Sequence, residues 1–353
     1  MLSESTLSTC IQCGVCSSSC SMRFNMNIRK AVASYISQRS FWTPELWNCT
    51  NCLICQERCP RGIKLVEAIN EARAETVEKG ELPKDLKGFL ENIQKFSNPF
   101  GALKRPSFEA KTAKKGDFEF LLFLGCSVYD QRVEKVAKKA IELLKMAKVD
   151  FAILKKELCC GNDVKAIGEK GLFELLKEEN SKVFEELGVK KIITISPHCY
   201  NALKNYYGIE TYHIAQVLLE KVESAELRFS STLEFRATYH DPCYLSRHNN
   251  VVEEPRALLS SVPGIELVEM QRNRKLSLCC GGGSGGIVRD FRWRPSTERI
   301  REAMLTGSEI LATSCPFCLV MLEDAVKTKN SGLRVFDVVE ILYSAITGSP
   351  LTP

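Results

Sequence analysis

The chain has 353 residues, with 48 Lys or Arg against 43 Asp or Glu and a net charge of +5, enough for about two or three domains. Hydrophobic residues at 44% and charged residues at 26% give the balance of a globular protein. No apolar run approaches the ~18 residues that cross a bilayer, and residues 1–10 lack the basic and apolar regions of an export signal. A cytoplasmic location is expected, with peripheral attachment to the cytoplasmic face of a membrane through a partner as an option. Basic stretches such as 111–115 read as solvated linker, and the aromatic-plus-basic layout of a nucleic-acid platform is missing. The 17 cysteines are the outlying feature. Their odd number and the lack of an export signal argue against disulfides, and clustered thiols in a reducing compartment more often hold metal.

Spacing then decides. Cys10, Cys13, Cys16 and Cys20 form C-x2-C-x2-C-x3-C, and Cys49, Cys52, Cys55 and Cys59 repeat it, followed by Pro60. Three cysteines at i, i+3 and i+6 wrap one [4Fe–4S] cubane, and the fourth thiolate comes from the remote cysteine of the other run. This assigns Cys10, Cys13, Cys16 and Cys59 to one cluster and Cys49, Cys52, Cys55 and Cys20 to the other. Zinc, which favours two separated C-x2-4-C pairs, fits poorly. Ser21, where a proline would follow Cys20, departs from the pattern without removing a ligand. Between and after the runs, Ile28, Val32, Tyr35 and Ile36, then Ile63, Val66, Ile69 and Ala72, recur at helical spacing. The module therefore reads as a helical ferredoxin over residues 1–80. It resembles the ferredoxin modules of heterodisulfide reductase and of succinate dehydrogenase-type iron–sulfur subunits.

Residues 81–117, punctuated by Pro83, Pro99, Gly101, Pro106 and Gly116, read as one helix (84–96) and an irregular connector. The remainder repeats itself. A strand ending near Cys126 is echoed by one ending near Cys243, and Leu-Cys-Cys-Gly stands at 158–161 and 278–281. Residues 192–199 are echoed by 310–318, and 212–220 by 336–344. Cys126 and Cys243 are 117 apart and Cys160 and Cys280 are 120 apart, a period that means duplicated domains. We place them at 118–232 and 233–353. Each alternates short apolar strands with amphipathic helices, such as 131–147 with Val133, Val136, Ala140, Leu144 and Ala147 inward and 172–187. The expected fold is thus α+β and multidomain: an α-helical ferredoxin, then two α/β domains with largely parallel sheets. In such sheets the loops at strand carboxyl ends form the site.

In the second copy Cys243, Cys279, Cys280, Cys315 and Cys318 converge from three loops. Adjacent cysteines suit an open iron–sulfur assembly better than a single tetrahedral ion. The glycine run at 281–286 would let backbone N–H groups approach sulfur, and it fits a dinucleotide fingerprint badly. The spacing of these five cysteines is that of the CCG domain. With the ferredoxin ahead of two such domains, and with the motifs at 240–249, 262–270, 277–283 and 97–101, the chain resembles the D subunit of heterodisulfide reductase and related iron–sulfur subunits of glycolate, lactate and glycerol-3-phosphate oxidation. The resemblance implies a non-cubane [4Fe–4S] cluster on those five cysteines, which would be catalytic in disulfide/thiol redox chemistry. The alternative it implies is an electron-transfer subunit taking electrons from a flavin-dependent dehydrogenase, acyl-CoA type included, towards quinone. In either case a redox partner is required, a membrane cytochrome b or a flavoprotein dehydrogenase.

The first copy has Cys126, Cys159, Cys160 and Cys199, but Ser196 stands where the fifth thiol would be, and a hydroxyl is a poorer soft-metal ligand. The expectation is a four-thiolate metal site holding a further [4Fe–4S] cluster or zinc, against an empty one. Among the four histidines (198, 213, 240 and 248), His240 with Asp241 would supply a proton beside Cys243, although a structural hydrogen bond is the commoner fate. Residues 289–295, with Arg289, Arg292 and Arg294 around Phe291 and Trp293, read as a charged loop with the option of gripping an anion or a partner.

Overall fold

In a computed structural model, residues 6–38 and 41–352 are described. Up to residue 80 the regular elements among the described residues are helices, chiefly α1 (Val15–Ser19), α2 (Ile28–Gln38), α3 (Ile54–Glu57) and α4 (Leu65–Glu78). Their apolar stripes meet in one small core with Cys20, Cys49 and Cys55 in it. The inward face of α2 is Ile28, Ala31, Val32 and Tyr35. Ile36, expected inward, is 43% exposed, because the stripe drifts round to Ala31 over three turns. Ile63 is buried but precedes α4 rather than lying on it.

Helix α5 (Lys84–Phe96) fills the expected stretch of the linker. It ends where Ser97 turns left-handed, and Asn98, fully buried, ties the next loop. Asn98 Oδ1 accepts from Phe100 and Ala102 N–H, and Nδ2 donates to Phe96 and Ala102 carbonyls. The connector is not wholly irregular, since Thr112 pairs in parallel with Ile153 at the sheet edge.

Two parallel four-stranded sheets follow. The first has order β2-β1-β3-β4, from β1 (Phe120–Phe123), β2 (Phe151–Ala152), β3 (Lys191–Thr194) and β4 (Glu210–His213). The second has order β6-β5-β7-β8, from β5 (Phe235–His240), β6 (Ile265–Leu267), β7 (Ile310–Thr313) and β8 (Arg334–Asp337). The inner strands are continuous apolar runs because helices cover both faces. Leu121, Leu122, Phe123, Ile310, Leu311 and Ala312 are all fully buried. The connecting helices are α6 (Gln131–Met146), α7 (Asn162–Ile167), α8 (Lys170–Leu187), α9 (Pro197–Asn205) and α10 (Ile214–Glu223) in the first copy. In the second they are α11 (Cys243–Asn249), α12 (Glu254–Ser261), α13 (Pro295–Met304), α14 (Pro316–Lys329) and α15 (Val338–Thr347).

One apolar core runs through both copies. Across it Arg132 of α6 makes a two-pronged bond to the buried Glu340 of α15, at 2.7 and 2.6 Å, and a third to Glu323 at 2.5 Å. The Arg132 guanidinium is thereby held charged against its own desolvation. In each sheet the strand order reverses direction between its first and third strands, and that switch point opens the crevice for a site.

Candidate metal centres

In the ferredoxin region both cysteine loops bend the same way. Gln12 and Gly14 have positive φ in the first, and Asn51 and Leu53 in the second, each pair lying two and four residues past the leading cysteine. A leucine in this region is sterically costly. The bend turns backbone N–H groups inward, so Gln12 N–H reaches Cys10 Sγ at 3.4 Å, Asn51 N–H reaches Cys49 Sγ at 3.4 Å and Met22 N–H reaches Cys20 Sγ at 3.3 Å. Cys20 stands among Cys49 and Cys52, and Cys55 beside all three. These four are buried, whereas Cys13 is exposed and Cys10, Cys16 and Cys59 are half-buried. Burial pushes the Cys20 and Cys55 thiols up, and neighbouring thiols add to it. A cation or cluster in their midst is what would let them ionise.

In the second copy the cysteines lie in the loops that follow strands and in the helices those loops enter, Cys279 and Cys280 coming after a short turn at Arg274–Leu276. Cys243 opens α11 just after β5, Cys279 and Cys280 follow β6, and Cys315 caps α14 after β7 with Cys318 in that helix's first turn. Pro316 at the first position of α14 needs no N–H partner and presets the turn. Two helix amino ends, with their partial positive charge, thus face the thiols. All five are buried, Cys243 the most exposed at 5%. The glycine loop takes part as expected at its start, where Gly281 N–H meets Cys279 Sγ at 3.3 Å and Gly282 N–H meets Cys280 Sγ at 3.4 Å. Five soft thiols with backbone donors around them in a water-poor pocket are a donor set suited to an iron–sulfur cluster. Ser284 does something else: its N–H goes to Asp163 Oδ1 of the first copy, at 2.5 Å.

The four first-copy cysteines also gather. Cys159 and Cys126 Sγ atoms are 3.8 Å apart, and Cys160 lies between Cys159 and Cys199. Gly125 has φ +76°, and a Cβ there would lie 2.7 Å from Cys199 Sγ, so the loop leaves no room for a side chain. Ser196 occupies the N-cap position of α9 that Cys315 has on α14. Around this site the charges are acidic. Glu157, buried, accepts from Leu124 and Gly125 N–H and from Arg105, and Asp163 lies nearby.

The histidines part company. His213 caps α10, and burial lowers it to about 4. His248 donates to Asn51 O at 2.8 Å and is lowered to about 4, chiefly by burial. His198 gives Nδ1 to Asp163 Oδ2 at 2.6 Å, and its ring lies 4.6 Å from Phe317 and 4.4 Å from Tyr244, with Cys315 as a further neighbour. Burial works against its charged form, but Asp163 outweighs this and holds it up. Asp241, read from the sequence with His240 as a proton source beside Cys243, turns away from that histidine. It takes Arg256 in two prongs, at 2.6 and 2.9 Å. His240 Nδ1 instead accepts from Arg299 Nε at 3.0 Å, while Nε2, fully buried, has no partner among the described residues. Burial and then Arg299 push its pKa well down. An unpaired buried N–H costs about 1–3 kcal/mol.

The ferredoxin docks on the second copy. Thr50 Oγ1 is 3.5 Å from Cys279 Sγ, the Cys52 and Cys279 thiols are within hydrogen-bond reach, and Ser21 Oγ accepts from Cys279 N–H at 2.8 Å. Ser21, the departure from the ferredoxin pattern, therefore has a task at this boundary. Gly283 makes the approach possible, since a Cβ there would lie 2.5 Å from Thr50 O. Two buried arginines, which no sequence pattern singled out, tie the ferredoxin to its neighbours, Arg73 to the first copy through Ala166 and Arg247 to the second through Cys52. Arg73 donates to the Leu46, Cys49 and Ala166 carbonyls at 2.8, 2.6 and 2.8 Å. Arg247 donates to Cys52 O and to the Lys275 and Ser277 carbonyls, beside Cys52, Cys243 and Cys279. Only the order Arg-His after Cys243 hinted at it. Residues 289–295 grip this seam too: Arg289 bonds Asp85 and Trp47 O at 2.6 and 2.7 Å, and Trp293 packs on Phe24 at 4.8 Å. Arg292 alone of the three arginines stays exposed.

Comparison with known proteins fits this layout. Residues 6–63 match the 4Fe-4S dicluster domain, and 120–204 and 237–323 each match the cysteine-rich domain of the CCG family. The chain belongs to the iron–sulfur proteins that join a ferredoxin to two CCG domains. In particular, it is 35% identical to the probable iron-sulfur-binding oxidoreductase FadF of Bacillus subtilis (strain 168), over 87% of this chain and 47% of that protein. It is 33% identical to the EtfAB:quinone oxidoreductase of Syntrophomonas wolfei, over 85% and 46%. It is also 28% identical to the D subunit of the dihydromethanophenazine:CoB–CoM heterodisulfide reductase of Methanosarcina barkeri, over 86% and 78%. The chain spans about half the length of the first two. Among solved structures, a hypothetical protein from Helicobacter pylori shares the fold, with a TM-score of 0.57 at 13% identity over 93% of this chain and 66% of that one. Among the described residues no helix is long and apolar enough to cross a membrane.

Proposed function

We propose that this chain carries electrons between an outer ferredoxin cluster, an inner one and a centre in the second CCG domain. In this reading Cys10, Cys13, Cys16 and Cys59 hold the outer [4Fe–4S] cluster and Cys20, Cys49, Cys52 and Cys55 the inner one. Cys243, Cys279, Cys280, Cys315 and Cys318 hold a non-cubane [4Fe–4S] cluster, and Cys126, Cys159, Cys160 and Cys199 a four-thiolate metal site. The observation that carries the reading is the meeting of Cys52 and Cys279 beneath Thr50, which puts an inner-set ligand against a second-copy ligand. When bound, such clusters supply one-electron chemistry. The protein's part is to exclude water around them, to hold the seam closed through Gly283 and to set the Arg247 charge beside thiols of both sets. Exposed Cys13, with its chain neighbour Ile11 also exposed, marks the face for a redox partner.

Two readings of the far end differ in who takes the electrons. The likeness to heterodisulfide reductase and the complete five-thiol set support disulfide/thiol chemistry. The likeness to an EtfAB:quinone oxidoreductase supports a carrier between a flavoprotein dehydrogenase and the quinone pool. The carrier gains from burial, because a disulfide substrate must reach sulfurs that are at most 5% exposed. Electron paramagnetic resonance of oxidised, iron-loaded protein separates the two. A thiol-dependent signal supports disulfide chemistry, and a spectrum indifferent to thiol supports the carrier. The wiring itself predicts magnetic coupling between the inner ferredoxin centre and the second-copy centre when both are paramagnetic. Spectra that superpose without coupling would refute it.

A further inference from the structure

His240 ends β5 with its ring fully buried and its two nitrogens unequally used. Nδ1 lies 3.0 Å from Arg299 Nε. A guanidinium nitrogen only donates, so Nδ1 carries the lone pair and Nε2 carries the hydrogen. Arg299 is fixed in that role, being fully buried and bonded to Arg272 O at 2.7 Å and Glu302 at 2.8 Å. Nε2–H has no partner among the described residues. A ring nitrogen of His240 and the Sγ atoms of Cys280 and Cys318 all lie within 4.8 Å of one another. With Nδ1 turned to Arg299, Nε2 is the nitrogen left to face those sulfurs.

We infer that His240 donates an Nε2–H···S hydrogen bond to the second-copy centre, at a ligand thiolate of Cys280 or Cys318 or at a sulfide beside them, and raises its reduction potential. This rests on the reading that the second copy holds an iron–sulfur cluster. A hydrogen bond to sulfur favours the more negative, reduced state and is a general lever on such potentials. His240 is not a ligand, because a nitrogen that bears a hydrogen has no lone pair for iron. Arg299 is the positioning residue, selecting the tautomer. The first copy shows the device removed: the residue that ends β1 at the matching place is Phe123, fully buried and without a donor. Cys315 and His240 in one copy thus stand against Ser196 and Phe123 in the other, so thiol and donor are present or absent together.

The test is an electron paramagnetic resonance-monitored redox titration of the iron-loaded chain. His240→Leu should shift the midpoint of the second-copy centre downward and leave both ferredoxin midpoints where they were. His240→Gln, similar in size and still bearing an N–H, should recover part of the shift. Equal shifts in the two variants, or none in either, would overturn the inference. Pulsed measurements on the wild type decide it without any variant. The inference requires an exchangeable-hydrogen coupling on this centre without a strong nitrogen coupling, and a nitrogen coupling of directly bonded size sinks it. A wild-type chain showing two centres and no third would instead remove the reading on which this rests, and this inference with it.

Discussion

The two CCG copies share a strand order, a cysteine layout and a core, and yet they are not equivalent in what surrounds the thiols. The second places five thiols, two helix amino ends, Arg247 and the His240 N–H in one pocket. The first places four thiols beside Asp163 and Glu157, with Ser196 and Phe123 where the fifth thiol and the histidine would be. In exchange it gives residues to its neighbour: Asp163 binds Ser284 of the glycine loop, and His198 sits against Phe317, between Cys315 and Cys318. At those two places the second copy has Gly283 and Phe317. The first copy thus lends side chains to the surroundings of the second copy's thiols. The lesson is that ligand count alone understates the asymmetry, which extends to the charges and donors around the ligands.

Five exchanges probe this contrast. The largest difference is expected between Cys280→Ser and Cys160→Ser. The first should remove the second-copy centre and stop electron transfer to an acceptor, while the second should leave transfer in place. Iron content and acceptor reduction check both, and equal losses would erase the contrast. Next, Gly283→Ala forces a methyl against Thr50 O, an overlap worth about 1–3 kcal/mol. The expected sign is faster hydrogen exchange over residues 49–55 and slower internal electron transfer, with the first copy unaltered.

The last helix of each copy is capped differently, by His213 in the first and Asp337 in the second. Burial lowers His213 to about 4, below its unfolded value near 6.5, so the unfolded chain binds the proton first. Its stability contribution is therefore present above pH 6.5 and is lost as pH falls, by about 2 kcal/mol down to pH 5. Burial moves Asp337 upward instead, so its contribution grows as pH falls. Between pH 7 and pH 5 the protection of β1 and β3 against hydrogen exchange should fall less in His213→Asn than in the wild type, and equal falls would refute this. The smallest effect belongs to Ser196→Cys. Restoring the thiol while Phe123 remains should leave the first-copy spectrum unlike the second, and a spectrum matching the second copy would show that thiol number is sufficient.

Much of this was legible in the chain because it depends on local periodicity or fixed spacing. The cysteine runs, the repeat, helices α5, α6 and α8 and the delivery of thiols by strand ends all follow from patterns of a few residues. What escaped was set by pairing between distant segments. Arg73 and Arg247 look like ordinary surface cations in a helix until carbonyls from other segments meet them, four at Arg73 and three at Arg247. Asp241 adjoins His240 in sequence, yet it turns to Arg256, and the histidine's real partner lies 59 residues away. Residues 289–295 have the composition of a solvated loop, although Phe291 and two of the three arginines are used within the molecule.

The burial of the seam has a consequence for how the protein is made. Cys52 is buried in one cluster with Cys243 and Cys279, across the docking of the ferredoxin onto the second copy. A packed glycine loop and the buried Arg247 stand between these thiols and solvent. On the proposed cluster assignment, loading would precede closure of the ferredoxin onto the second copy, or wait for that seam to open. The outer set, with Cys13 exposed and Cys10, Cys16 and Cys59 half-buried, would be under no such order, so a chain starved of iron early and supplied late should mature with its outermost position filled first.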